Sequence, residues 1–383
     1  MVVDPAFRVF VGNMVTGEIT CDLPVASHSW GLRLNGAGDI DATVRAYAEE
    51  LRNKDLRNFT AVKKQYLAVA YGDRILEAGP IWKRDYNAST GALKLGASGI
   101  WSLLDMVKVL NWAQINAGTA VTRSVLSLSG LSLGSIASEL VRLCVAGNPF
   151  NPGLPIILPA ATTAGTNERS YKGYELAFLG ETLRKLTQVE NGPDIRFQPR
   201  YNGADPTRIE WVMTHGTAAS PLLYQGGDDW TWDGTVDESG VSDIGVKEDG
   251  TAMADRVWQP GAGSELEMKL ATAQDLNLIT TAGYPWTEAD AASKDVENLT
   301  ILQGHANAAM AAARRPIETW DVSVRANTNP LLGRYLPGDF AQFIVPTGNP
   351  MLEPGTRRVR LMAIDGDNSN TVNLTPAPMP AGV

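Results

Sequence analysis

PLLGRYLPGDFAQFIVP, from Pro330 to Pro346, sets a polar turn, Pro337-Gly338-Asp339, directly before an apolar run, Phe340 to Val345. Proline followed by glycine predicts a tight turn, and a short apolar run bounded by such residues predicts a strand. Trp320 to Arg325 reads as a second strand just upstream. Downstream, RRVRLMAI and TVNLTP are two more, split from their neighbours by GNPMLEPG and DGDNSN. Antiparallel strands of this length tend to curl and remove their exposed edges, so the C-terminal region is expected to build the wall of a small β-barrel.

The first hundred residues read the same way. Phe7 to Val11, Glu18 to Leu23 and Ser29 to Leu34 are strand-like, as are YLAVAYG, RILEAGPIWKRDY and ALKLG, with turns at Gly72-Asp73 and at Asn87 to Gly91. Between them, Val44, Tyr47, Ala48 and Leu51 recur at helical spacing, with Asp41 as the expected cap. The middle changes period. SLGSIASELVRLCVAG, Ser132 to Gly147, and YELAFLGETLRKLTQVENGP, with Leu176, Leu179, Leu183 and Leu186 on one face, predict helices, the second stopped by Asn191-Gly192-Pro193. DIRFQPR and RIEWVMTHG follow as strands. An alanine-rich helix is expected from Ala292 to Arg315, its basic end opposing the helix dipole and Pro316 marking the exit. The fold class expected is α+β and multidomain: two β-barrel-like regions bracketing a small α/β unit and a helical insert. The divisions fall at 1–120, 121–215, 216–290 and 291–383.

With 383 residues, 44% apolar and 20% charged, the composition is that of globular proteins. No apolar run is long enough to cross a bilayer, and no secretory leader is visible. Cys21 and Cys144 sit in apolar surroundings and are expected to be buried thiols. The net charge of −9 is concentrated: Asp228 to Asp255 holds nine acidic residues against Lys247 alone. That balance argues against stable nucleic-acid binding and fits a surface along which DNA passes without sticking, or a solvated acidic loop.

Three stretches imitate chemistry. Gly130-Leu131-Ser132-Leu133-Gly134 matches GxSxG between an apolar run and a helix, the setting of a nucleophile elbow. A histidine must then take the Ser132 proton, and only His215 and His305 follow; Ser132 as a plain helix cap accounts for the same residues. GGDDWTWDGTVDESG, Gly226 to Gly240, combines acids with Trp230 and Trp232, as glycan sites do. Asp229, Thr231, Asp233 and Gly234 also match the start of a calcium loop, but Gly240 stands where its final Glu belongs. The alternative there is an exposed hairpin with aromatic anchors against a neighbouring chain. DGDNSN is a hairpin turn. No catalytic, cofactor-binding or metal-binding residue is assigned, and no enzyme activity is expected.

Read in order, several segments resemble the minor tail proteins that form the tail-tip (baseplate) hub of long-tailed siphoviruses infecting actinobacteria. They are LSGLSLGSIASELV with LPIILP, YKGYELAFLGETLRKLTQVENGPDIRFQPR, and the closing RPIETWDVSVRAN, GRYLPGDFAQFIVP, RRVRLMAIDGD and TVNLTPAP. The resemblance implies a homotrimeric ring with two barrel-like domains per chain, docked under a sixfold tail tube. It implies contact with the distal tail protein ring, the tape-measure protein and other minor tail proteins, with DNA present only in transit and no membrane insertion of its own. It places the chain in the virion tail tip after synthesis in the host cytoplasm, with no hydrolase extension expected beyond the last strand. A receptor- or wall-binding tail protein, using Trp230 and Trp232 on a glycan or acting as a hydrolase, is the alternative.

Overall fold

The computed structural model describes residues 6–160, 162–189, 191–236, 240–291 and 296–378. The chain forms two compact units: Met1–Ile244 with Asp321–Val383, and Gly245–Trp320. The class is α+β, mostly sheet with few helices, as the sequence predicts.

In the larger unit, the two β-rich ends of the chain are joined. Val25–Arg33 pairs on one side with Asp39–Arg45 and on the other with the far half of Gly355–Asp367, from Ala363 opposite Arg33 to Asp367 opposite Ser29. From Asp39–Arg45 the sheet continues through Ala92–Ser98, Arg74–Asn87, Gln65–Tyr71 and Phe7–Asn13 to Ile19–Asp22. From Gly355–Asp367 it continues through Thr371–Pro378 and Ile317–Arg325 to Val241–Asp249, while Phe340–Val345 pairs with the near half of Gly355–Asp367. The result is one sheet of 13 strands whose path does not close on itself among the described residues. It curls at the N-terminal end, where Phe7 meets His28 edge-on at 5.0 Å between ring centroids.

Arg74–Asn87 serves two partners because of its Gly79-Pro80 corner. Its first half pairs with Gln65–Tyr71 and its second with Ala92–Ser98. A Cβ on Gly79 would lie 1.9 Å from the Ser98 carbonyl oxygen, so only glycine allows this approach.

The helix expected from Asp41 does not form. Asp39–Arg45 is a strand, with Ile40, Ala42 and Val44 buried while Asp39, Asp41 and Arg45 face out. Alternation with period two, supported by β-branched Ile40, Thr43 and Val44, outweighs the looser helical spacing, and the strand's backbone is paired on both sides. Elsewhere the middle follows the sequence, except that Leu176 lies before the second helix, exposed and in the left-handed conformation (φ 47°), because that helix starts only at Leu179. Leu133–Val141 and Leu179–Thr187 are helices; their Ile136, Leu140, Leu183 and Leu186 share a core with Ile195 and Met213 from the strands Ile195–Tyr201 and Ile209–His215. Cys21 and Cys144 are buried free thiols, and burial pushes Cys144 up to about 11.

The smaller unit is a three-stranded sheet with Arg256–Pro260 at its centre, antiparallel to Leu270–Gln274 and parallel to Glu288–Asp290. A helix, Leu299–Ala313, buries Leu302, Ala306, Met310 and Ala313. Asn298 caps it, accepting from the Thr300 and Ile301 amides, and Arg314 at its end pairs with Asp275 at 2.9 Å. The first residues of the expected helix, 292–295, lie outside the described residues. Among those described, no helix is long and apolar enough to cross a membrane.

Glu77 is a buried acid of the larger sheet with no basic side chain bonded to its carboxyl among the described residues. It accepts from its neighbour's amide, Ala78 N–H, at 2.9 Å, and Gly38 and Gly99 crowd its carboxyl. Burial, opposed by those backbone donors, pushes its pKa up to about 8. The folded chain therefore holds Glu77 neutral while the unfolded chain ionises it above its ordinary value of 4.5. This contribution to stability is intact below that value and declines as pH rises towards 8. Glu77→Gln is expected to melt higher than the parent at pH 8, with the gap closing towards pH 4.5; differential scanning calorimetry across that range checks it.

Candidate functional site

Two sequence motifs that lie far apart in the chain meet in the larger unit. Gly192-Pro193 ends the helical region and aims Asp194 and Arg196, at the start of Ile195–Tyr201, towards the Pro337-Gly338-Asp339 turn and Arg360 on Gly355–Asp367. The Arg360 guanidinium forms a buried ion pair with Asp194 and donates to the Gly338 carbonyl at 3.3 Å. Asp194 Oδ1 accepts from Asn35 Nδ2 at 3.1 Å, and Oδ2 accepts from the Leu223 amide at 2.8 Å. Asn35 returns the contact by accepting from the Ile195 amide at 2.7 Å, in the left-handed conformation (φ 57°) that asparagine tolerates.

The second pair sits beside the first. Arg196 approaches Asp339 at 3.6 Å and donates to the Pro337 carbonyl at 2.8 Å. Burial draws the Arg196 pKa down, and Asp339 and Asp194 partly restore it. Asp339 Oδ2 also accepts from the Leu336 amide and from the Trp230 indole, both at 3.0 Å. Gln225 brackets Phe340, accepting from its amide at 2.8 Å and donating to its carbonyl at 3.1 Å. Asp229 accepts from Arg358 at 2.8 Å, which holds its pKa below the usual carboxylate range. Each carboxylate of this clasp is matched with a guanidinium or several donors. Its chemistry is cohesion: it locks the α/β segment and the 223–233 segment onto the C-terminal strands.

The Trp–Asp stretch is therefore not an exposed hairpin. Trp230–Asp233 is a strand lying parallel to Phe340–Val345, with Trp230 opposite Ala341 and Trp232 opposite Phe343. Trp232 is fully buried, stacked on Phe343 at 5.3 Å and meeting Tyr335 edge-on at 5.0 Å. The ring packing against two aromatic partners outweighs the cost of an indole N–H that is buried without an acceptor, which is why the sequence's surface reading of Trp232 fails. The acids beside it diverge: Asp229 turns to Arg358, and Asp233 caps its own turn by accepting from the Thr235 amide at 2.9 Å. Residues 237–239 of that stretch lie outside the described residues. No group of three metal-ligating side chains clusters among the described residues.

Ser132 is the cap of Leu133–Val141. Its Oγ accepts from the Ser135 amide at 3.3 Å and bonds to Ser135 Oγ at 3.1 Å, in a buried position. The His215 ring packs against the same helix start, where a Cβ on Gly134 would lie 2.3 Å from its Nδ1. That nitrogen donates to the Gly216 carbonyl at 2.8 Å, and Nε2 is buried without a hydrogen bond to Ser132. A nucleophile needs its base on the hydroxyl and an acid behind the base; neither link is made here. His305 lies on the exposed side of Leu299–Ala313 in the smaller unit. DGDNSN is a hairpin turn in which Asp367 Oδ1 accepts from the Ser369 amide at 2.7 Å.

Comparison with protein families finds no match to this sequence, and no curated protein matches it. Solved structures do match in fold. The tail protein from Neisseria meningitidis MC58 superposes with a TM-score of 0.57 at 14% identity, over 97% of this chain and 96% of that one. The 43 kDa tail protein of prophage MuSo2 from Shewanella oneidensis superposes with a TM-score of 0.59 at 10% identity, over 97% and 98%. The fold is that of these two tail proteins, shared from end to end.

Two outcomes test the clasp. Arg360→Met strands the Asp194 carboxylate in the core and is expected to cost about 3–5 kcal/mol, whereas Asp194→Asn combined with Arg360→Met recovers more than half of that; urea unfolding of the parent and the two variants checks it. Trp232→Ala is expected to cost about 3–5 kcal/mol in the same assay, far more than any change confined to a surface platform.

Proposed function

We propose that this chain is a structural protein of a phage tail, acting at the tail tip as a hub. The carrying observation is the end-to-end likeness of fold to two tail proteins, which covers nearly the whole of this chain and of each of theirs. In this reading three copies form a ring under the tail tube of a siphovirus infecting actinobacteria. The ring contacts the distal tail protein ring and the tape-measure protein, and its channel gates DNA. Within 1–120 and 291–383, the strands of the larger unit supply the ring-forming sheet, and 121–215 the α/β bracket.

Several features support a mechanical role. The clasp spends its charged side chains on each other rather than presenting them to a substrate. The single curled sheet links both ends of the chain, so load applied to one is carried to the other through paired backbone. A net charge of −9 suits a wall past which DNA slides, since a basic lumen would retain it. The glycan-binding alternative loses Trp232, which the core occupies.

Cryo-electron imaging of intact tails with the protein's density assigned is expected to show three copies around the axis at the distal end of the tube. Density along the tube wall, in the capsid, or absent from the virion would overturn the reading. The virion is the right sample because hub assembly can depend on its partners.

A further inference from the structure

The smaller unit contains a cavity of about 260 Å³ lined by Met253, Ala254, Asp255, Leu278, Tyr284 and Thr287. Its walls are predominantly apolar, and Asp255 is the charged group among them. That residue is 2% exposed. Its Oδ2 accepts from the Thr287 amide at 2.9 Å and from Thr287 Oγ1 at 3.2 Å. Its Oδ1 is buried and has no hydrogen-bond donor among the described residues. The backbone of Asp255 is held on both sides: its amide donates to the Thr287 carbonyl at 3.0 Å and its carbonyl accepts from the Asp275 amide at 2.9 Å. The carboxylate is thus fixed in place with half of its accepting capacity unused.

Such an oxygen is expensive. A buried acceptor left without a donor costs about 1–3 kcal/mol, and more when charged, and a ligand that brings the missing N–H recovers that cost on binding. Nearby basic side chains are committed elsewhere: Arg256 bonds Gln274 at 2.8 Å and pairs with Glu288 at 3.5 Å, and Arg314 pairs with Asp275. The sequence of this unit, Gly245–Trp320, holds eleven acidic residues against six basic ones, so its field draws in a cation and repels an anion. The cavity is smaller than the roughly 300–1,000 Å³ of drug-sized ligand sites, which selects one side chain over a nucleotide or an oligosaccharide. Apolar walls with a carboxylate among them match a cation carried on an aliphatic stem.

We propose that this pocket receives a lysine or arginine side chain of a partner protein, which would anchor that partner to the smaller unit. The cation meets Asp255 Oδ1, and its methylenes lie against Met253, Leu278 and Tyr284. The proposal rests on the chemistry of this unit alone and stands or falls independently of the tail-tip reading.

The test uses the full chain labelled at its methionine methyls, with Met253 assigned as reporter, titrated with Nα-acetyl-arginine methylamide, Nα-acetyl-lysine methylamide and the uncharged Nα-acetyl-norleucine methylamide. At least one cationic probe is expected to give a saturable Met253 shift that weakens with added salt, while the norleucine probe gives none. Asp255→Asn is expected to weaken the binding at least tenfold. Leu278→Trp, which fills the cavity and keeps the carboxylate, is expected to abolish it, so the proposal is tested even where one variant fails to fold. No saturable shift with either cation, an equal shift with norleucine, or undiminished binding in both variants would overturn it.

Discussion

The ion pair between Asp194 and Arg360 is the constraint on which the larger unit depends. Moving two opposite charges out of water costs several kcal/mol per ion, and their attraction offsets this only when the remaining lone pairs and protons are also bonded. Here they are: Asn35, Leu223 and Gly338 supply those bonds. Four segments remote in sequence must arrive together for the pair to be tolerable. A misplaced α/β segment would leave a bare charge in the core, so the pair acts chiefly by penalising wrong arrangements. The Arg196–Asp339 pair is satisfied less fully, with Arg196 Nε left without a hydrogen bond, while the Trp230 indole on Asp339 ties the 223–233 segment into the same clasp.

The sheet gives that clasp something to hold. Gly355–Asp367 is shared along its length: its near half pairs with Phe340–Val345, its far half with Val25–Arg33, and its other edge with Thr371–Pro378. A strand with neighbours on both edges has no free backbone groups to satisfy, and a one-residue slip would turn Val359, Leu361 and Ile364 away from the core. The clasp and the register therefore reinforce one another, since Arg360 reaches Asp194 only in the observed register.

Most strands and the three longer helices were legible, because a period of two or of 3.6 in apolar residues reports which face is buried. Asp39–Arg45 was misread where both periods overlap: Val44 fits either, and only the pairing with Val25–Arg33 and Ala92–Ser98 decides. The clasp was not legible. Asp194, Arg196, Asp339 and Arg360 each look like surface charges beside a turn or in an alternating strand, and a single sequence gives no sign that they meet. A faint signal existed in the punctuation, since Gly192-Pro193 and Pro337-Gly338 each place an acid next to a turn that opens a strand. Trp232 was misjudged for a related reason. Its polar neighbours suggest a wet surface, whereas the core it enters is made by Tyr335 and Phe343, about a hundred residues away.

The chain departs into its smaller unit along Val241–Asp249 and comes back along Ile317–Arg325, and these two strands are adjacent in the sheet. At their roots Ser242 Oγ donates to the Ser323 carbonyl at 3.1 Å and the Arg325 amide donates to the Gly240 carbonyl at 2.7 Å. An excursion whose two ends are already stitched side by side is a hairpin with an oversized tip. Its content can be exchanged, lengthened or trimmed across evolutionary time with little effect on the pairing of its two ends, so a scaffold constrained by its clasp can still vary in what this excursion carries.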